Sequence, residues 1–216
     1  MMNLYDFFDR DKLLQINSVF DQGTWVDGEV SGPKDKSIKR NYQQSDKEIN
    51  MMVNHEIHRI LKQENSFTHH YLIVKATPIL MLKYDENCHY NDHVDFIHMY
   101  GSRTDFTCVM NLNDDYEGGE HYIKENGEKK EWKNEPGKLM VYPTGQVHGV
   151  NPITKGTRRC ITFWLESAIQ DTAMREPIVR FNKLYDKIWS QLDNEDVLEL
   201  DWFRMALMRH HSTFRD

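Results

Sequence analysis

The chain is poor in cysteine, in long apolar runs and in excess positive charge, and each shortage excludes something. Its 216 residues carry three cysteines, Cys88, Cys108 and Cys160, none in Cys-x-x-Cys spacing. An odd count without a framework excludes a disulfide scaffold and predicts reduced thiols in a cytoplasmic protein. Cys108 and Cys160 lie in apolar strand patterns and read as core residues. No apolar run approaches the roughly 20 residues of a transmembrane helix, so no membrane partner is expected. The amino terminus carries Asp6, Asp9, Arg10 and Asp11 where a signal peptide would be apolar. Lysine and arginine total 27 against 34 acidic residues, a net charge of −7, which argues against a general nucleic-acid binder. The basic run at residues 34–40 is short and reads as a solvated loop.

What is present suits one domain with a sizeable core. Ordinary apolar content and mixed charge exclude wholesale disorder. Residues 1–70 read as an amino-terminal segment that begins with a short helix or strand and ends in a supporting helix. Ser45 and Glu48 stand at capping-box spacing, followed by Met51, Met52, His55, Ile57, Ile60 and Leu61 at helical intervals. His55 and His58 fall three apart there and read as a helix face. Residues 71–167 read as short strands punctuated by Pro78, Gly118-Gly119, Asn126-Gly127 and Pro136-Gly137. The charged stretch 128–133 suggests an exposed hairpin arm. Regular short strands of this kind predict a sandwich or jelly roll. Residues 168–216 turn helical, with Val179, Phe181, Leu184, Ile188 and Leu192 as a stripe and Asp201 as a cap for a final helix. These helices are expected to pack on the core; a stripe left uncovered would suit a homodimer. The expected fold is therefore mainly β with flanking helices, a double-stranded β-helix.

The chemistry-bearing pattern is His93-Val94-Asp95, then His148, then Arg158. Alternate strand residues point to one face, so His93 and Asp95 can offer an imidazole nitrogen and a carboxylate oxygen to one metal. A histidine from a second strand completes one face of an octahedron, the 2-His-1-carboxylate set of iron(II) oxygenases. A zinc site can use three such ligands too, so the triad alone does not fix the metal. Arg158 opens a β-branched and aromatic strand on which Arg158, Thr162 and Trp164 share a face. An arginine there can grip a carboxylate in bidentate fashion. A metal chelated by a 2-oxo acid whose far carboxylate rests on an arginine is the arrangement for 2-oxoglutarate.

These residues lie in a longer ordered series. It runs through Tyr84, Tyr90-Asn91-Asp92-His93-Val94-Asp95, Arg103-Thr104-Asp105 and Leu112-Asn113-Asp114-Asp115-Tyr116-Glu117-Gly118-Gly119-Glu120. It continues through Pro136-Gly137-Lys138-Leu139 to His148 and Trp164. Upstream stand Trp25-Val26-Asp27-Gly28, Ser31-Gly32 and Lys39-Arg40-Asn41-Tyr42-Gln43. The series resembles the Fe(II)- and 2-oxoglutarate-dependent dioxygenases of the prolyl hydroxylase superfamily, and within them the PKHD-type hydroxylases. The segment 85–89 lacks the glycines often found before the family's His-x-Asp, and Phe96 stands where asparagine is common. Asp95, by contrast, is retained, which argues against halogenation.

The resemblance implies His93, Asp95 and His148 as iron ligands and Arg158 as the anchor of 2-oxoglutarate. It implies Tyr84, Tyr90 and Asn111 as neighbours of the co-substrate. Cofactors would be Fe(II), 2-oxoglutarate and O2, with L-ascorbate keeping iron reduced. The expected reaction is hydroxylation of a C–H bond with release of succinate and CO2, on a prolyl or other residue of a peptide or protein. A free amino acid or small metabolite is the alternative substrate. A cupin-like metal hydrolase and a non-catalytic metal-binding module are the rival functions. Arg103 and Asp105 read either as lining of the substrate mouth or as an ion pair at a strand start.

Overall fold

A computed structural model describes residues 2–63 and 65–212. They form two compact units, one comprising residues up to His58 with Ala76–Leu165, the other Arg59–Lys75 with the residues from Glu166 onward.

The first unit is a double-stranded β-helix. Its larger sheet runs in the order Asn3–Asp6, Lys138–Pro143, Phe106–Asn111, Arg158–Ser167, Leu80–Tyr84, Tyr42–Gln44, Trp25–Asp27. Its smaller sheet runs Glu128–Trp132, His121–Glu125, Val147–Val150, His89–His93, Lys39–Arg40. Leu80, Leu82, Cys160 and Trp164 of the larger sheet pack with Val150 and Tyr90 of the smaller. Val109, Met140 and Tyr142 likewise pack with Ile123 and Trp132. The core thus lies between two facing sheets.

The larger sheet is apolar on both faces because helices cover its back. All of Phe106–Asn111 is buried, and so are Ile161, Phe163 and Leu165. The helix Arg10–Phe20 sits over this face: Asn17 Nδ2 donates to the Leu112 carbonyl at 2.8 Å, and the Arg159 guanidinium lies 5.5 Å from the Phe20 ring centre. On the helix Lys47–Gln63, Asn54 Oδ1 accepts from the Ile79 amide at 3.2 Å. The start of this helix departs from the expected cap. Asp46 Oδ1 accepts from Glu48 N and Ile49 N, while the Ser45 hydroxyl donates to the Thr24 carbonyl instead. At the far edge of the smaller sheet, the expected hairpin arm is present. Glu128–Trp132 pairs with His121–Glu125 through Asn126 and Gly127, both at positive φ, and its lysines and glutamates blunt an open edge.

The second unit is helical, with Asn65–Tyr71, Thr172–Ile188 and Asn194–His211. Ile169, Ile178 and Met208 form its apolar centre, and the fully buried Asn182 ties it together. Asn182 Nδ2 donates to the carbonyls of His69 and His70, and its Oδ1 accepts from Arg204 Nε at 3.0 Å. The last helix is capped by Asp193, not by Asp201, which lies within it: Asp193 Oδ1 accepts from Glu195 N and Asp196 N. Among the described residues no helix is long and apolar enough to cross a membrane.

One glycine in the smaller sheet is required by close approach. The register between Val147–Val150 and His89–His93 shifts between His148 and Val150, at Gly149. A Cβ on Gly149 would stand 2.3 Å from Tyr122 Oη and 2.5 Å from the Tyr90 carbonyl oxygen. The backbone oxygen cannot yield without moving the strand that carries His93. Gly149→Ala is therefore expected to lower stability by about 1–3 kcal/mol, as overpacking does. Urea unfolding checks it, and a variant as stable as the parent would refute this account of the register shift.

Candidate active site

The two sheet histidines meet because their strands pair. His148 is the register partner of His93, and partners across an antiparallel pair present side chains to the same face. Asp95 follows two residues beyond the end of the His93 strand. Among the described residues His93, Asp95 and His148 form a group whose ligand atoms all lie within 4.8 Å of one another. The Asp95 carboxylate stands 3.7 Å from His93 Nε2 and 3.6 Å from His148 Nε2.

Each imidazole is oriented from behind. His93 Nδ1 lies 2.9 Å from the Asn91 carbonyl oxygen, and His148 Nδ1 lies 2.9 Å from that of Gln146. A carbonyl only accepts, so each Nδ1 carries the hydrogen and each Nε2 presents a lone pair toward Asp95. The Tyr90 ring stacks on His93 at 3.4 Å and 9°, and Tyr142 lies edge-on to His148 at 5.3 Å. Burial, with the neighbouring His148, lowers the pKa of His93 to about 4. That favours the neutral imidazole, the form that ligates metals. Asp95 is fixed too: its Oδ2 accepts from Thr107 Oγ1 at 3.0 Å and Trp164 Nε1 at 2.9 Å. Two oriented imidazoles and an oriented carboxylate are a donor set that fits Fe(II).

Arg158 opens the strand Arg158–Ser167, beside Tyr84 in register. It is 1% exposed. Its Nε donates to Asn111 Oδ1 at 3.1 Å, and Asn111 Nδ2 reaches Tyr116 Oη and the Asn134 carbonyl. The Tyr84 ring centre lies 5.3 Å from the guanidinium. Among the described residues no carboxylate pairs with Arg158. Burial raises the pKa of both Tyr84 and Tyr90, so their hydroxyls stay protonated and can donate.

One cavity of about 620 Å³ joins these parts, with the triad, Arg158, Tyr84 and Tyr90 all on its wall. Asn111 stands behind Arg158 as its hydrogen-bond support. Arg103 and Asp105 do not line the cavity. They form a fork, Arg103 Nε and Nη2 donating to the Asp105 carboxylate at 2.7–3.0 Å. His58 faces the Thr77 carbonyl at 3.3 Å and belongs to no metal-ligating group among the described residues.

Three further groups of the cavity escaped the sequence reading. Thr107 orients Asp95 and was visible only as one position of an alternating strand. Lys39, placed by its charged neighbours in a solvated loop, is in fact 4% exposed. Its Nζ donates to the Gly28 carbonyl at 2.8 Å and lies 5.2 Å from the Tyr90 ring centre, and burial pulls its pKa down to about 8. His121 also lines the cavity. Its only sequence signal was strand alternation after Gly118-Gly119.

Comparison with known proteins identifies the family. The sequence model of the 2OG-Fe(II) oxygenase superfamily matches residues 79–166. A PKHD-type hydroxylase of Gluconacetobacter diazotrophicus is 30% identical over 187 residues, covering 82% of each chain. One from Janthinobacterium sp. (strain Marseille) is 28% identical over 220 residues, covering 97% of each. Among solved structures, a Pseudomonas putida prolyl-4-hydroxylase superposes with a TM-score of 0.56 at 16% identity, over 77% of this chain and 92% of that one. A Trichoplax adhaerens prolyl hydroxylase in complex with a peptide fragment gives 0.59 at 16% identity, over 77% and 83%. Oxygenase kinship over nearly the whole length sets aside the hydrolase and the non-catalytic module. The chain belongs to the PKHD-type hydroxylases of the 2OG-Fe(II) oxygenase superfamily and is a 2-oxoglutarate-dependent dioxygenase.

Proposed function

We propose that His93, Asp95 and His148 hold Fe(II), that Arg158 holds the distal carboxylate of 2-oxoglutarate, and that the enzyme hydroxylates a prolyl or other residue of a peptide or protein, releasing succinate and CO2. The observation that carries this reading is Arg158, a buried guanidinium with no carboxylate partner among the described residues, on the wall of the cavity that contains the triad. An uncompensated buried cation is costly, and an entering dianion relieves that cost. Iron, 2-oxoglutarate and O2, when bound, supply the oxidising power for C–H hydroxylation. The chain's own residues bind and orient: the carbonyls of Asn91 and Gln146 fix the imidazoles, Thr107 and Trp164 fix Asp95, and Asn111 fixes Arg158.

A peptide substrate is favoured by the cavity mouth. Val30, Val94, Phe96 and Tyr100 line it, and each is more than half exposed. Ile97, beside them in sequence, is 76% exposed. Apolar side chains gathered at a cavity rim mark an interaction surface more often than scattered exposure does. The Trichoplax adhaerens relative in fold was solved with a peptide fragment.

Purified protein with Fe(II), ascorbate and air is expected to release succinate from 2-oxoglutarate, faster with an acceptor peptide that gains the mass of one oxygen. His93→Ala and Asp95→Ala should abolish that release; a variant retaining it would remove the residue from the ligand set. Arg158→Ala should raise the 2-oxoglutarate KM by roughly 30-fold or more, the loss of a buried charged pair, with Arg158→Lys intermediate. An unchanged KM would remove its assigned role. Thr107→Val should weaken metal binding about tenfold by loosening Asp95, read by competition with a chelating dye. Parent-like affinity would show that Trp164 alone suffices.

A further inference from the structure

The last helix, Asn194–His211, has one face that its own unit uses and an opposite face that stays apolar and open. On the inner face Met208 packs with Ile169 and Ile178, and Arg204 Nε donates to Asn182 Oδ1 at 3.0 Å. The Arg204 guanidinium lies 4.7 Å from the Tyr185 ring centre. The outer face carries Glu195, Leu198, Trp202, Met205 and Arg209, spaced alternately three and four residues apart, and all five are exposed. Leu198 is 69% and Trp202 70% exposed. Phe203, beside them, is 52% exposed and meets Phe181 edge-on at 6.0 Å. Alternating three- and four-residue spacing is that of a helix packed along another helix. A face meant only for water would carry polar residues at its centre.

The charges say which helix would fit. The first turn is acidic, with Glu195 and Asp196, and the last is basic, with Arg209, His210 and His211. Trp202 stands midway, seven residues from Glu195 and seven from Arg209. Neither Glu195 nor Arg209 has an ion-pair partner among the described residues. A second copy of this helix laid antiparallel, with a two-fold axis at Trp202, sets Glu195 against Arg209 on both sides and Trp202 against its own copy. Parallel pairing would set Glu195 against Glu195 and align the two helix dipoles unfavourably. We propose that this face is a two-fold interface between two copies of the chain, formed by antiparallel pairing of Asn194–His211. A two-fold contact requires a patch complementary to itself, and opposite charges equidistant from a central tryptophan meet that requirement. A partner of unrelated sequence would not require that symmetry. The arrangement, an aromatic centre with a charged rim, is that of a protein interface.

The test is sedimentation of the full chain across roughly 1–100 µM, from which a dimer dissociation constant is read. The parent should pass from monomer to dimer as concentration rises. Trp202→Glu sets two like charges against each other at the axis and should raise the dissociation constant about 30-fold or more. Glu195→Lys opposes a lysine to Arg209 twice and should raise it about fivefold. Adding Arg209→Glu to Glu195→Lys restores opposite charges and should return the constant to near that of the parent. All three variants should keep the helical circular dichroism of the parent, because the altered side chains are exposed in the single chain. Were Trp202→Glu to lose helicity, the charge exchange would decide alone. A parent monomeric throughout would overturn the proposal and leave the face to a partner of another kind. A dimer that Trp202→Glu leaves intact would overturn it as well, by placing the contact elsewhere. So would a Glu195→Lys defect that Arg209→Glu does not repair, since the antiparallel register requires that repair.

Discussion

The pairing of the His148 strand with the His93 strand is the constraint on which the site depends. It sets two imidazoles side by side at one register step, ring centres 4.2 Å apart, and the carbonyls of Asn91 and Gln146 then choose which nitrogen each ring presents. A one-residue slip would leave each local contact in place but send one histidine to the opposite face and part the pair. Gly149 lies inside this pairing, where the register shifts and only a hydrogen fits. The larger sheet supplies what the smaller one lacks. Thr107 and Trp164 reach across from it to Asp95, and Arg158 enters from the same strand as Trp164. Two facing sheets therefore divide the labour: one sets the histidines, the other holds the Asp95 carboxylate and places the buried Arg158 guanidinium.

The cavity wall pairs charges of both signs, with Asp95 and Glu29 beside two basic side chains. The protein carries a net charge of −7, yet its cavity wall includes the buried cations Arg158 and Lys39. A buried guanidinium in a low-dielectric wall attracts an entering carboxylate even when the outer surface does not. The two cations are held differently. Arg158 gives one donor to Asn111 and keeps the rest of its fork uncommitted to any carboxylate. Lys39 gives its ammonium to the Gly28 carbonyl and lies near Ser31 Oγ, 3.3 Å away, so much of its capacity goes to folding the segment around residues 28–31. Of the two, only the arginine is left open to a dicarboxylate.

The strand-borne part of the site was legible in the sequence because strands have a period. Arg158 with Thr162 and Trp164 follows from alternation alone, and turn residues bracket that strand; Asp95 lies past the end of the His93 strand, so its place beside His93 depends also on Thr107 and Trp164. Long-range partnerships were not legible. Ser45 and Asp46 are both competent helix caps, and the choice fell to Asp46 because Thr24, distant in sequence, takes the Ser45 hydroxyl. Asp193 and Asp201 posed the same ambiguity, decided by where the preceding helix ends. Lys39 looked solvated because its neighbours are charged. Its burial depends on a backbone carbonyl eleven residues earlier, which no local pattern announces.

That difference in legibility bears on where specificity resides. Except for Asp95, which lies just past its strand and is held by Thr107 and Trp164, the groups assigned to metal and co-substrate stand on paired strands, whose geometry is over-determined by neighbours on both sides. The mouth is built from irregular segments, around residues 29–33 and 94–100, with apolar side chains projecting outward. Such segments carry no hydrophobic period and few backbone pairings, so they can change sequence without disturbing the register that sets His93 against His148. Substitutions at Phe96 or Val30 are therefore free to alter what the mouth admits while leaving the paired strands behind it intact.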